Sequence, residues 1–183
     1  MRRTVIAGAV AGIVLLTAAL CAAEEQKSIP KEVQEELGYY VGNWTIEGKN
    51  GSETAKGKIT MTWSAEKHAI FGDCSISAGK ERFHSVFASG WDSTTGGITE
   101  QGLSADGEVY TIRYKLKTPD VLIGEATGSV AGKATQGKVR VEKKGPNQYV
   151  WSLTGNKRGD EALPDSELTF TRVSKKPKGE AQN

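Results

Sequence analysis

The chain has 183 residues, with 24 Lys and Arg against 22 Asp and Glu. Setting aside residues 1–23 removes Arg2 and Arg3, leaving 22 of each sign and a net charge of zero. Such a chain has no electrostatic footprint for nucleic acid or an anionic membrane surface, and its length points to one domain with a substantial core.

Residues 1–23 read as a secretory signal peptide. "MRR" supplies a basic start, "TVIAGAVAGIVLLTAAL" an uncharged apolar run, and "CAA" small residues before "EE". That order predicts cleavage after Ala23 and an exported product, periplasmic or extracellular. The apolar run is short for a membrane span and a polar chain follows it, so no transmembrane segment is expected in the mature chain. Lipid attachment at Cys21 ranks second, because the bulky Leu20 precedes it. Cys74 is then the one remaining cysteine, so no intramolecular disulfide is available and the fold must rest on its hydrophobic core.

In "SIPKEVQEELGYYVG", Ser28 is the expected N-cap and Pro30 falls in the first turn. Val33, Leu37 and Tyr40 recur at helical spacing before Gly38 and Gly42 are expected to end the run. The lead-in and short helix are placed at 24–36 and the main domain at 37–174.

From there the period changes to two. "KITMTWS" sets Ile59, Met61 and Trp63 against Lys58, Thr60 and Thr62. "RFHSVFASGW" aligns Phe83, Phe87 and Trp91, and "VYTIRYKL" aligns Tyr110, Ile112, Tyr114 and Leu116. "KVRVEK" isolates Val139 and Val141, "QYVWSL" aligns Tyr149, Trp151 and Leu153, and "ELTFTRV" aligns Leu168 and Phe170. Strict alternation marks antiparallel strands with one face on a core and one in water. Turn signals such as "GKNGS", "STTGG", "SADGE" and "KKGPNQ" separate about ten strands at meander spacing. Closure removes the exposed edges of so long a meander. The expected fold is therefore all-β: an antiparallel up-and-down barrel of about ten strands with one short N-terminal helix. A two-sheet sandwich is the competitor, and bulky inward Tyr and Trp suit a wide barrel better. The tail 175–183 is basic, broken by proline and free of bulky apolar groups, and reads as disordered.

"GNWTIEG" resembles the Gly-x-Trp opening of the lipocalin-like, or calycin, barrels. That resemblance implies that Trp44 packs across one end of the barrel beneath a basic residue from the last strand. Arg172, in phase with Leu168 and Phe170, is the candidate. With "LGYYVGNW" and the hairpin "ASGWDSTTGGITEQG", the chain is similar to a family of uncharacterised bacterial exported proteins with a lipocalin-like domain. Related barrels of the nitrobindin type hold haem through a His near the C-terminal strands. Here the histidines are His68 and His84, nothing after residue 84 can serve, and no cofactor is expected.

A barrel of this strand count can enclose a ligand. The inward residues expected to contact a small hydrophobic or amphipathic molecule are Met61, Trp63, Phe83, Phe87, Tyr110, Ile112, Tyr114, Tyr149 and Trp151. No metal site is expected, since the chain lacks H-x-H and C-x-x-C spacing. Cys74, in phase with Ile70 and Ile76, reads as a small buried hydrophobe. His84, Asp73 and Glu125 read as solvent-facing. A barrel enzyme, an isomerase or hydrolase of a hydrophobic substrate, would need an inward carboxylate or histidine beside a second polar group. Parity reveals no such pair. A filled barrel acting through its outer loops, especially 154–166, is the remaining alternative.

Overall fold

The computed structural model describes residues 28–174. Residues 1–27, which include the expected signal peptide with Cys21 and Ala23, and the tail 175–183 lie outside the described residues.

Helix α1 (Lys31–Tyr40) leads into β1 (Gly42–Asn50), β2 (Glu53–Trp63), β3 (Ala69–Ala78), β4 (Glu81–Asp92) and β5 (Gly97–Ser104). The chain continues through β6 (Val109–Thr118), β7 (Val121–Val130), β8 (Lys133–Lys143), β9 (Gln148–Arg158), β10 (Glu161–Ala162) and β11 (Ser166–Arg172). β1 to β9 form an antiparallel meander, and β11 pairs with both β9 and β1. The result is a closed barrel of ten strands. The two-residue β10 is an extra piece on the end of β9.

Two details of the helix differ from the sequence reading. Pro30 rather than Ser28 occupies the N-cap position, and no side chain caps it. The Pro30 carbonyl instead accepts from the Val33 and Gln34 amides at 3.0 Å each. Gly38 does not stop the helix, which runs to Tyr40 and so across the expected 36/37 boundary. A Cβ at position 38 would sit in ordinary contact with the Trp63 ring, at 3.4 Å.

The helix closes one end of the barrel. Glu36, 5 % exposed, pairs with Lys143 at the end of β8 and accepts from the Tyr40 hydroxyl at 2.8 Å. The same Lys143 ammonium donates to the Pro119 carbonyl and lies 4.8 Å from the Tyr39 ring centroid. Trp44, 1 % exposed, sits above this helix and donates its indole N–H to the Tyr40 carbonyl at 2.8 Å. It pairs in register with Arg172, whose guanidinium carbon lies 4.0 Å from the indole centroid. Arg172 also donates to the Val41 carbonyl at 2.7 Å, and to that of Tyr39, joining the last strand to the chain's entry into the first.

The core follows the alternation. Ile59, Met61, Ile70, Cys74, Ile98, Ile112, Tyr114, Leu122, Val139, Val141, Tyr149, Leu168 and Phe170 are all buried. Leu116, although in phase with Tyr114, is exposed near the bulge at the end of β6. Glycines set the curvature. A Cβ on Gly48 would fall 2.1 Å from the Glu167 carbonyl oxygen, and one on Gly57 2.3 Å from that of Ser75. Only a residue without a side chain lets adjacent strands coil so tightly there.

Candidate functional site

The interior is not filled. A cavity of about 460 Å³ runs from the floor made by Leu37, Tyr40 and Phe170 to the opposite end of the barrel. That end is open, ringed by the hairpins after β1, β3, β5, β7 and β9, and Glu81, Phe83, Asp106, Glu108 and Arg158 stand at its rim. The volume lies within the range usual for small-molecule sites, and the walls are mainly apolar.

Of the nine residues expected to face a ligand, Met61, Phe83, Phe87, Tyr110, Ile112, Tyr114, Tyr149 and Trp151 line this space. Phe83 stands at the mouth and is 38 % exposed. Trp63 does not join them. As the last residue of β2 it lies at the closed end, where its ring packs beside Gly38 of the helix. Trp44 and Arg172 are also absent from the lining, and their stacking is a structural closure.

The feature that alternation did not reveal is a carboxyl group inside the barrel. Glu100 on β5 shares the inward phase of Ile98 and lines the cavity. Its partner across the β4–β5 pairing is Ser89, whose hydroxyl donates to the carboxyl at 2.9 Å. The Tyr110 phenol lies near the same carboxyl, and the Ser85 hydroxyl lies near the phenol. Ser85 and Ser89 are 3 % and 4 % exposed, so both hydroxyls are buried in the wall. Glu100 retains some accessible area, but that area opens on the cavity rather than on bulk water. Desolvation therefore dominates. It pushes the Glu100 pKa up to about 7, against the opposing pull of the Ser89 and Tyr110 hydrogen bonds.

The backbone makes room for this cluster. Tyr110 lies directly across from Gly102, and a Cβ on Gly102 would fall 2.3 Å from the Tyr110 Cζ. The ring thus lies flat over the glycine and aims its hydroxyl along the wall towards Glu100. Phe87 lies over Gly72 in the same way, with 2.0 Å between a built Cβ and the ring. Gly102→Ala is expected to displace the Tyr110 ring and destabilise the barrel by about 1–3 kcal/mol, the usual cost of overpacking. Urea denaturation measures that loss, and a change below about 0.5 kcal/mol would show the ring is not confined.

The remaining titratable candidates separate cleanly. Cys74 lines the cavity, and burial raises its thiol pKa to about 12, which leaves it protonated and inert as a nucleophile. Tyr114 is buried, and its pKa is raised well above the ordinary value, chiefly by desolvation. His84 faces outward and pairs with Asp73 at 3.0 Å, while Glu125 is exposed on β7. His68 lies in the β2–β3 connection beside the Ser64 hydroxyl, at 3.2 Å. Among the described residues no three His, Cys, Asp or Glu side chains gather closely enough to hold a metal ion. No described helix is long and apolar enough to cross a membrane.

No family model matches the chain, and no curated protein matches it at a significant level. Among solved structures it is similar to a de novo designed fluorescence-activating β-barrel, at 12% identity and a TM-score of 0.40. That match covers 75% of this chain and 96% of the designed one. The mFAP2b barrel bound to DFHBI matches at 18% identity and a TM-score of 0.39, over 77% and 99% of the two chains. A redesigned barrel, mFAP1, also bound to DFHBI, matches at 16% identity and a TM-score of 0.37, over the same shares. At these scores the likeness extends no further than the β-barrel itself.

Proposed function

We propose that this is an exported, non-enzymatic binding protein that takes a small amphipathic molecule through the open end of its barrel. The observation that carries the reading is the cavity: about 460 Å³, walled by aliphatic and aromatic side chains, with one convergent polar cluster at Glu100. Apolar walls supply affinity by burial, and a few placed polar groups fix orientation. Export is supported by the order of residues 1–23, and kinship with the lipocalin-like bacterial family by Trp44 stacked beneath Arg172.

Trp151 reports on this cavity, because it lines the space while Trp44, Trp63 and Trp91 do not. Titrating the protein with fatty amines, fatty alcohols, fatty acids, sterols and haem is expected to give a saturable change in tryptophan emission for at least one class. Trp151→Phe is expected to remove most of that signal. An unchanged spectrum across the panel would overturn the reading.

One observation favours a second reading, a barrel enzyme acting on a hydrophobic substrate. A desolvated carboxyl with a pKa of about 7, bonded by the Ser89 hydroxyl, is suited to general acid–base work. Under that reading Glu100→Gln abolishes turnover while the cavity still binds its substrate.

A further inference from the structure

We propose that the ligand carries a protonated amine, and that its ammonium group pairs with Glu100 inside the barrel. The proposal rests on reading the cavity as a ligand site, and deepens it by naming the chemistry recognised.

The groups facing Glu100 come from several strands, and none is basic. Cys74 from β3, Ser85 and Ser89 from β4, Tyr110 and Tyr114 from β6, and Tyr149 from β9 line the same cavity, and Ser89 bonds the carboxyl. The Ser89 hydroxyl satisfies part of the carboxylate, but no countercharge reaches it. Among the described residues Arg158 is the one basic side chain in the lining, and it stands at the mouth, where Glu161 pairs with it at 3.4 Å.

The surroundings suit a cation. Phe87, Tyr110, Tyr114, Tyr149 and Trp151 line the same cavity, and aromatic faces attract an ammonium most strongly where water is excluded. The mouth adds the same sign of field. Glu81, Asp106 and Glu108 stand there against Arg158, and the Ser104 hydroxyl bonded to Asp106 keeps that carboxyl below its ordinary pKa. An incoming ammonium therefore meets a negative rim, then an apolar channel, then an uncompensated acid. A fatty acid meets the reverse: repulsion at the rim, and a second carboxyl group at Glu100.

The association changes protonation in a defined way. A neutral Glu100 releases its proton to solvent as the ammonium binds, so the pair forms with net loss of one proton. The alkylammonium stays charged throughout, so the pH dependence belongs to the protein.

The test is calorimetric titration of the full mature chain with decylammonium, decanol and decanoate, three ligands of equal chain length. Decylammonium is expected to bind at least about tenfold more tightly than decanol, equivalent to about 1.4 kcal/mol, with decanoate weakest. Its affinity is expected to rise between about pH 6 and about pH 8 with proton release, while that of decanol stays level. Glu100→Gln is expected to abolish the amine preference over decanol and its pH dependence. Equal or tighter binding of decanol or decanoate overturns the amine assignment but leaves the cavity reading intact. An amine preference that survives Glu100→Gln also overturns it. Absence of binding by all three overturns the assignment, and if the wider fluorescence panel is silent too, the binding reading falls with it.

Discussion

Replacing Trp44 with alanine is expected to destabilise the protein by about 3–5 kcal/mol, the usual range for deleting a large buried aromatic. The indole is 1 % exposed and is held on several sides at once. Tyr149 meets it edge-on with centroids 4.9 Å apart, Tyr39 lies at 5.8 Å, the Tyr40 carbonyl accepts its N–H, and Arg172 covers one face. Deletion leaves a cavity at the closed end and frees the Arg172 guanidinium from its stacking surface. A single domain has about 5–15 kcal/mol in all, so the variant should lie near the threshold of folding. Trp44→Phe offers a milder measurement, losing the indole N–H bond but keeping an aromatic face. A cycle combining Trp44→Leu with Arg172→Met, in which each change removes one member of the stacked pair, should give a coupling of about 0.5–2 kcal/mol. A Trp44→Ala loss under about 1 kcal/mol by urea denaturation would contradict the structural role assigned to this residue.

That role is what the resemblance of "GNWTIEG" to the lipocalin-like opening implies, whereas most of the barrel is legible in the sequence itself because it rests on local regularities. A half-buried strand advertises itself by alternation, and the segments around Met61, Tyr110, Val139, Tyr149 and Phe170 alternate without interruption. Their inward phase therefore agrees with the observed burial, except at Leu116 beside the β6 bulge. Arg172 follows from the same rule, as the third inward position after Leu168 and Phe170. Cys74 falls into place from its spacing to Ile70 and Ile76.

Glu100 is hidden because it breaks the same regularity. In "GITEQGLS" the inward positions are Ile98, Glu100 and Gly102, so one apolar residue is followed by a charge and then by no side chain. A pattern that looks for inward hydrophobes finds no strand face there. The usable signal lies on the neighbouring strand, where Ser85 and Ser89 interleave with Phe83 and Phe87 in the inward phase. Hydroxyls on a core face need partners. Only the β4–β5 register, which sets Ser89 opposite Glu100, shows what that partner is. Trp63 departs from expectation for a different reason. Parity places a side chain on a face but does not say how far along the barrel it lies, and the helix occupies the end that Trp63 reaches.

The same carboxyl governs the second large expected effect, on stability against pH. The unfolded chain releases the Glu100 proton near the ordinary glutamate value, whereas the folded barrel holds it to about 7. Between those values the unfolded state binds fewer protons, so the Glu100 contribution to stability falls as pH rises through that window. Above it both states are ionised and the penalty is constant, at up to about 3 kcal/mol for a shift of this size. Glu100→Gln keeps the shape and an acceptor for Ser89 and Tyr110 but cannot ionise. It is expected to be more stable than the natural protein by up to about 3 kcal/mol near pH 8, and close to it near pH 4. Subtracting the two urea-unfolding profiles cancels the titration of distant groups, and leaves a step centred between the two pKa values. A flat difference, or a variant weaker than the natural chain near pH 8, would mean that Glu100 ionises freely through a wetter cavity. The geometry argues otherwise, because an acid that is desolvated without a countercharge destabilises the empty barrel most when ionised. An ammonium ligand relieves that penalty, so added decylammonium should raise the stability of the natural protein near pH 8 more than that of Glu100→Gln.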